Sequence, residues 1–127
     1  MQHGALTVTQ QAKTGSHGEQ LAVEYLTEHG FTIVATNWHC QYGEIDIVAR
    51  DGDTTVFVEV RTRRSSTSEA AFASITPAKQ ARMVAAAQMY LQEHNQEDTA
   101  WRIDVIGIAL FHGSKPVIDH IRDALGW

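Results

Sequence analysis

The sequence predicts a single α/β domain in which helices pack against a β-sheet. Segments of helical period flank several β-branched runs, and two of these runs are joined by a tight turn at the centre of the chain. The predicted element order is α-β-β-β-α-β, which several kinds of α/β sandwich share. A chain of 127 residues is long enough to bury the core of one domain.

The N-terminal part is predicted to hold a mobile tail and one helix. Met1–Lys13 is polar and lacks apolar periodicity, so the folded domain is expected over residues 14–127. Apolar residues recur at helical spacing from Ser16 to His29. Ser16 and Glu19 match a capping box, in which Glu19 bonds back to the Ser16 backbone; in the alternative, Glu19 points toward the central strands.

The central stretch Gly43–Arg64 is predicted to form a β-hairpin. Gly52-Asp53 suits a two-residue type II′ turn, because glycine occupies the first central position. This turn fixes the register of the strand pairs, which are Arg50 with Thr55, Val48 with Phe57, Asp46 with Glu59, and Glu44 with Arg61. The apolar residues expected on the opposite face are Ile45, Ile47, Val58 and Val60.

Acidic side chains are predicted to converge on one face of this hairpin. Residues two apart on a strand leave by the same face, which applies to Glu44 with Asp46 and to Glu59 with Arg61. Glu59 interrupts the apolar run Val56–Val60, where a carboxylate is unexpected unless something binds it. Two carboxylates ~5 Å apart repel by roughly 3 kcal/mol at an effective dielectric near 20. We therefore expect a cation there, either Arg61 or a hard metal ion such as Mg²⁺.

At these residues the chain resembles two groups of known proteins. Glu44-x-Asp46 followed by Glu59-Val60-Arg61 is similar to the PD-(D/E)XK nuclease signature, with arginine in the usual lysine position. The wider pattern resembles the YraN-like family of uncharacterised bacterial proteins, from about Thr14 to the C-terminus. Its motifs are Gly18-Glu19 with Ala22 and Leu26, Gly43-Glu44-x-Asp46, Phe57–Arg61, Lys79, and Arg102-x-Asp104-Val105.

The resemblance implies a PD-(D/E)XK nuclease-like core, with a mixed central sheet flanked by helices, and metal-assisted phosphodiester hydrolysis. Asp46 and Glu59 would bind Mg²⁺ or Mn²⁺, and Glu44 and Glu19 would complete the metal site. The implied catalytic residues are Asp46, Glu59, Arg61 and Glu44. Because a guanidinium stays protonated, Arg61 can orient water and stabilise phosphate charge but cannot act as a base.

Positive charge is local rather than general, since the formal net charge is −5. It is concentrated in two clusters, one of Arg61, Arg63 and Arg64 and one of Lys79 and Arg82. Arg63 and Arg64 follow the site strand, while Lys79 and Gln80 lie near the start of the next helix. We expect these four residues to contact nucleic acid. Lys79 is badly placed for the helix dipole, which indicates a contact with phosphate or with the acidic residues; a solvent-exposed lysine is the alternative.

The segments on either side of the hairpin are predicted to contain a strand and two connections. The strand covers Phe31–Trp38, and a polar connection covers Asn37–Tyr42. The aromatic residues of this connection either anchor it to the core or, near a nuclease site, stack on a base. Arg63–Ile75 is a long Ser/Thr/Ala-rich loop, either a substrate-contacting flap or solvent-exposed chain.

The remaining part of the chain is predicted to form a helix and one or two further elements. Thr76-Pro77 is typical of a helix start, with threonine as the N-cap and proline at the first helical position. Trp101–Leu110 is mostly apolar and indicates a buried strand, in which Arg102 and Asp104 share a face and pair. Pro116–Trp127 is predicted to be a final strand or a short helix.

Three functions are compatible with these features. The first is a metal-dependent nuclease acting on nucleic acid, with branched DNA and a homodimer suggested by the likeness to archaeal Holliday-junction resolvases. The second is a noncatalytic nucleic-acid-binding relative, and the third is a structural or protein-interaction domain. Cys40 is the only cysteine and no segment has the length of an apolar membrane span, so we expect a cytoplasmic protein.

Overall fold

The computed structural model describes the backbone of residues 3–125 and the side chains of residues 16–125. Its elements are α1 (His3–Glu28), β1 (Thr32–Cys40), β2 (Gly43–Asp51), β3 (Thr54–Arg63), α2 (Glu69–Ala73), α3 (Pro77–Glu93), β4 (Trp101–Ala109) and β5 (Val117–Ile121). The strands form one five-stranded sheet in the order β1-β2-β3-β4-β5. Only β3 and β4 run parallel, so the predicted α/β class with a mixed sheet is confirmed.

Helices cover both faces of this sheet and bury a separate apolar cluster on each. The cluster beneath α1 joins Ala22 and Leu26 to residues of the central strands. The cluster beneath α3 joins Tyr90 and Leu91 to a second set, which includes Phe57. Because consecutive side chains on a strand point to opposite faces, the apolar run of β3 supplies both clusters.

Helix α1 begins at His3, earlier than the predicted start at Ser16. Residues 3–13, for which a mobile tail was expected, belong to this helix, and their mobility stays a prediction. The first two residues of the predicted tail lie outside the described part of the chain. Since Ser16 lies inside α1, it does not cap the helix, and the capping-box interpretation of Ser16 and Glu19 is wrong.

The segment predicted to be a loop after β3 contains the short helix α2, which packs against the sheet. Ser68 and Ala71 are buried. The ring of Phe72 lies so close to Gly107 of β4 that a Cβ there would be 2.8 Å from it. The segment after β3 is therefore packed against the sheet and is not a solvent-exposed loop. Helix α2 can dock there because Gly107 has no side chain. Beyond β4, the strand alternative for the C-terminal segment is confirmed by β5.

The predicted register of the hairpin is confirmed near its turn. Arg50 pairs with Thr55, and Val48 pairs with Phe57. Gly52 has a φ of 61°, as the first central position of a type II′ turn requires. The predicted helix start is confirmed as well, since the Thr76 side chain accepts a hydrogen bond from the Lys79 backbone N–H at 3.2 Å.

A buried carboxylate, Asp104, organises the end of the sheet that carries the hairpin turn. It is 0% exposed. It accepts hydrogen bonds from Arg102 Nε at 2.9 Å, from His120 Nε2 at 2.8 Å and from the Asp123 backbone N–H at 3.0 Å. Arg102 also donates to Asp51, beside the turn, at 3.0 Å. The predicted pairing of Arg102 with Asp104 is confirmed, and it forms part of a network that joins β2, β4 and β5.

These donors decide the charge state of Asp104. Burial alone would raise the pKa of its carboxyl group, but hydrogen bonds from His120, Arg102 and the Asp123 N–H hold that pKa below its ordinary value of 3.8. Asp104 is therefore ionised in the folded protein, and its charge is matched by partners.

No helix within residues 3–125 is both long and apolar enough to cross a membrane.

Replacing Asp104 should destabilise the fold in a pH-dependent way. A carboxyl group whose pKa is lowered by folding stabilises the protein above its unfolded-state pKa, and that contribution disappears as the pH falls through the folded-state value. We expect Asp104→Asn to lower the free energy of unfolding by about 3–5 kcal/mol near pH 7, because Arg102 loses its buried partner. Denaturant titrations from pH 7 down to pH 3 would measure the difference between wild type and variant.

The difference should shrink as the pH falls below 3.8, the ordinary pKa of an aspartate. Asp98→Asn provides a control, because Asp98 is an exposed aspartate in the loop before β4. A loss of stability that is the same at every pH would show that the charge of Asp104 does not contribute.

Candidate functional site

The candidate site lies where β2 and β3 separate, at the end of the hairpin away from its turn. The ladder between the described residues of these strands ends at Ile47 with Val58. Beyond it, Asp46 Oδ2 accepts a hydrogen bond from the Val60 backbone N–H at 2.8 Å. The predicted ladder pairs of Asp46 with Glu59 and of Glu44 with Arg61 are therefore wrong. At this level the β3 backbone donates to the side chain of Asp46 rather than to a backbone carbonyl of β2.

Where the strands separate, the side chains of β2 no longer alternate regularly between the two faces of the sheet. Ile47 lies in the cluster beneath α1, whereas Ile45 lies in the cluster beneath α3. Two residues that are two apart share a face only in a regular strand, so the prediction that Ile45 and Ile47 share a face is wrong. The opposite strand is irregular as well, since Asn37 of β1 has a φ of 53°. Asparagine is one of the few residues other than glycine that adopt this conformation readily.

Three carboxylates meet at this irregularity. Ligand oxygens of Glu19, Glu44 and Asp46 all lie within 4.8 Å of one another. Asn37 holds two of them, because its Nδ2 donates to Glu19 Oε1 at 3.0 Å and to Glu44 Oε2 at 3.0 Å. Glu19 thus points toward the central strands, as the second interpretation of its role predicted. His39 Nε2 lies 3.3 Å from Glu44 Oε1 on the exposed side.

Gly18 brings Glu19 close to the sheet. A Cβ atom at this position would lie 1.9 Å from Thr62 Oγ1 and 3.0 Å from Thr62 Cβ. Only glycine allows α1 to approach β3 this closely, because any other residue would collide with the threonine. The Gly18-Glu19 pair of the family motif therefore has a physical explanation: the first residue permits the contact, and the second supplies the carboxylate that the contact delivers.

Asp46 carries the most perturbed carboxyl group of the cluster. Burial and the negative charge of Glu59 raise its pKa to about 8, although the Val60 N–H opposes the shift. The charge of Glu19 and a hydrogen bond to Glu44 act in the same direction as burial. Without a bound metal ion, the protonated form of Asp46 thus predominates at neutral pH.

Glu59 lies beside Asp46 and is partly neutralised by arginine. Burial raises the pKa of Glu59, while the positive charge and hydrogen bond of Arg61 oppose this shift. Arg61 Nη1 lies 3.1 Å from Glu59 Oε2, and Arg61 Nε donates to Ser74 Oγ at 2.8 Å. Ser74 follows α2, so the docking of that helix orients the guanidinium. The sequence-based expectation of a cation beside the acids is met in part by Arg61.

A cleft of about 160 Å³ opens from this cluster toward α3. Its lining combines acidic, cationic and apolar side chains, among them Tyr42, Glu44, Glu59, Arg61, Lys79, Arg82 and Met83. Lys79 is close enough to Glu59 for its charge to lower the pKa of that carboxyl group. Lys79 is half-buried at the edge of the cleft, and its predicted contact with phosphate stays a prediction.

The other residues predicted to contact nucleic acid are placed differently. Arg63, Arg64 and Gln80 are not among the residues that line the cleft. Arg63 Nη1 donates to the Thr62 carbonyl oxygen at 2.7 Å, which holds it along β3. The roles predicted for these three residues stay predictions, and Arg82 lines the cleft together with Lys79, with which the sequence grouped it.

The connection after β1 is shorter than predicted, because β1 continues to Cys40. Trp38 is an anchor, since its ring packs edge-on against Tyr90 with centroids 5.2 Å apart. Tyr42 is 40% exposed and lines the cleft. The anchoring interpretation is therefore confirmed for Trp38, while stacking of an aromatic residue on a base stays a prediction.

Sequence reasoning did not identify Asn37 or Ser74, whereas it grouped Arg82 with Lys79. Asn37 carried a recognisable signal, because asparagine is enriched among the non-glycine residues that adopt positive φ, and it lies within a β-branched run. Arg82 lies one helical turn after Lys79, a spacing that places both on one face of α3. Ser74 gave no signal, since its contact with Arg61 depends on how α2 docks.

The donor set fits a hard divalent cation. Carboxylate oxygens are the ligands that Mg²⁺ and Mn²⁺ prefer, and oxygens on opposite sides of a Mg²⁺ ion lie roughly 4 Å apart. Glu19, Glu44 and Asp46 are close to this spacing. Folding keeps the half-buried carboxyl group of Asp46 protonated, and a metal ion that binds there would displace this proton.

Fold and site together define an α/β protein with an acidic cluster at the open end of a central β-hairpin. The chain belongs to the family described as Uncharacterised protein family UPF0102, whose sequence model matches residues 18–108. This confirms the predicted membership of the YraN-like family.

Curated relatives from several bacteria resemble nearly the whole chain. A UPF0102 protein of Chloroflexus aurantiacus is 48% identical over 119 residues, which cover 93% of this chain and 97% of the relative. A UPF0102 protein of Rhodococcus opacus is 44% identical over 110 residues, which cover 87% of this chain and 93% of the relative. A UPF0102 protein of Dehalococcoides mccartyi is 42% identical over 114 residues, which cover 90% of this chain and 93% of the relative.

The raised pKa of Asp46 predicts that metal-free protein loses stability as the pH rises. A carboxyl group whose pKa is raised by folding stabilises the fold below its unfolded-state pKa, and that contribution disappears as the pH rises through the folded-state value. The affected window is from 3.8 to about 8. Within it the free energy of unfolding should fall by up to about 1.4 kcal/mol per pH unit.

Denaturant titrations in EDTA between pH 5 and pH 9 would test this. Asp46→Asn cannot ionise and keeps an oxygen for the Val60 N–H, so its stability should depend less steeply on pH than that of wild type. Parallel curves for the two proteins would contradict the assignment of the perturbed group to Asp46.

Proposed function

We propose that this protein is a metal-dependent nuclease that hydrolyses phosphodiester bonds in nucleic acid, with DNA as its substrate. The observation that carries the proposal is the convergence of Glu19, Glu44 and Glu59 around the half-buried carboxyl group of Asp46, beside a cleft that is also lined by cations. A protein that needed only stability would not gather more carboxylates than cations at this point, since like charges repel.

Each residue has a role that follows from its position. Asp46, Glu44 and Glu19 would hold Mg²⁺ or Mn²⁺ through their carboxylates, with Glu59 beside them. When bound, the metal lowers the pKa of a water molecule and neutralises charge on the phosphate. Asn37 keeps Glu19 and Glu44 oriented before metal binds, because it donates to both.

Arg61 occupies the position of the lysine in the PD-(D/E)XK signature. Its guanidinium is fixed by Glu59 and Ser74, and it lines the cleft together with Lys79 and Arg82. These cations would bind the phosphates on either side of the scissile bond. Because arginine does not give up its proton, Arg61 stabilises charge and orients water rather than acting as a base.

A second candidate function is noncatalytic binding of nucleic acid. It is favoured by the ion pair of Arg61 with Glu59, at 3.1 Å, which neutralises one acid of the cluster without a metal. In this case binding would depend on the cations and on salt, and would not require a divalent metal. A homodimer, a branched DNA substrate and a cytoplasmic location stay predictions.

A cleavage assay with Mn²⁺ and labelled single-stranded, duplex and branched DNA would distinguish these functions. We expect wild type to cut at least one of these substrates, and Asp46→Ala and Glu59→Ala each to lower the rate at least about 100-fold, because each removes a metal ligand or its neighbour. Glu93→Ala is a matched control, since Glu93 is an exposed acid at the far end of α3 and should retain wild-type activity. Salt-sensitive binding of all substrates without any cleavage would instead support the noncatalytic function.

Substitutions at Arg61 test whether this residue supplies charge or a proton. Arg61→Ala should lower the cleavage rate by about 100- to 1,000-fold, as the loss of a donor to a developing charge commonly does. Arg61→Lys should retain more of the rate, because it preserves the charge although it loses the fork to Glu59 and Ser74. An Arg61→Ala variant as active as wild type would exclude a catalytic role for the guanidinium.

A further inference from the structure

The cleft contains a surface that phosphodiester hydrolysis does not require. Beside the acids and cations it is lined by Tyr42, Met83 and Ala86. Met83 and Ala86 also pack in the apolar cluster beneath α3, which accounts for their apolar character. A metal site and a set of phosphate contacts are complete without an aromatic group, so the exposed ring of Tyr42 points to a further part of the ligand. That part must offer a flat or apolar surface next to a phosphate.

Helix α3 presents this surface and the cations on a single face. Lys79, Arg82, Met83 and Ala86 follow one another at intervals of three, one and three residues, which is the spacing of one helical face. A phosphate bound by Lys79 or Arg82 would thus bring the adjoining sugar and base toward Met83 and the turn that carries Tyr42.

Tyr42 is available for such a contact. Its side chain is 40% exposed, in the turn between β1 and β2. Trp38, near the end of β1, has its ring engaged by Tyr90 with centroids 5.2 Å apart. Within the described side chains, no hydrogen bond or ring contact involves Tyr42. Neither a hydrogen bond nor a ring contact therefore explains why the chain places an aromatic ring at this exposed position.

The cleft is a shallow, open site rather than an enclosed pocket. Its volume of about 160 Å³ is below the roughly 300–1,000 Å³ of pockets that enclose drug-sized ligands. A space of this size accommodates one planar group, with the rest of the ligand outside the cleft. In a duplex each base is covered on both faces by its neighbours, and an enzyme gains access only when a base is unpaired or turned out of the stack.

We propose that Tyr42 stacks on an unpaired nucleobase, so that the site takes nucleic acid that is single-stranded next to the phosphate in the acidic cluster. The inference rests on the proposed function for its phosphate site and adds the substrate class. An aromatic stack accepts every base, because each has a π-face, so the preference is for unpaired structure and not for sequence.

Binding of a fluorescent single-stranded oligonucleotide, and of the same strand in a duplex, would test the proposal by anisotropy in Ca²⁺. Tyr42→Ala should weaken single-strand binding by about 5- to 100-fold, as the loss of one base stack commonly does, and leave duplex binding unchanged. Tyr42→Phe should bind like wild type, because it keeps the ring. Phe111→Ala is a matched control, since Phe111 is an aromatic residue that is 55% exposed outside the cleft.

The outcomes separate this proposal from the one on which it rests. If wild type binds the single strand and Tyr42→Ala is indistinguishable from Phe111→Ala, the stacking role is wrong while the nuclease function stands. An equal loss for single strand and duplex would also overturn it, because the tyrosine would then contribute to the cleft in general. If wild type binds neither probe, the proposed function fails and the substrate class fails with it.

Discussion

The hydrogen bond from the Val60 N–H to the Asp46 carboxylate is the interaction on which the site depends. It satisfies a backbone donor that would otherwise pair with β2, at 2.8 Å, and so lets the two strands separate. The gap admits Glu44 and, through the close approach of Gly18 to Thr62, also Glu19. A regular ladder at this level would have left the carboxylates apart, so one unusual acceptor creates the cluster.

The two ends of the sheet treat a buried carboxylate in opposite ways. At the turn end Asp104 has three donors and a pKa below its ordinary value, so its charge contributes to stability. At the open end Asp46 lies among like charges and its pKa is raised to about 8. The first arrangement is complete without a ligand. The second becomes favourable when a cation binds, which is why we assign the function to that end.

The sequence predicted those features that local rules determine. The turn at Gly52, the hairpin register near it and the cap at Thr76 follow from the residues themselves, and all are present. The separation of β2 from β3 was not predicted, because strand alternation assumes a regular ladder and Asp46 breaks it. Likewise the docking of α2, and through it the contact of Ser74 with Arg61, depends on tertiary packing that no local pattern encodes.

The most direct test of the central claim is calorimetric titration of Mn²⁺ into the metal-free protein near pH 7, in two buffers with different ionisation enthalpies. The account predicts one saturable site and the release of about one proton per ion, since the metal displaces the proton that Asp46 holds. Asp46→Asn should bind more weakly and release no such proton, whereas Glu93→Gln should match wild type. Absence of binding at millimolar Mn²⁺, or the same proton release from Asp46→Asn, would contradict the account.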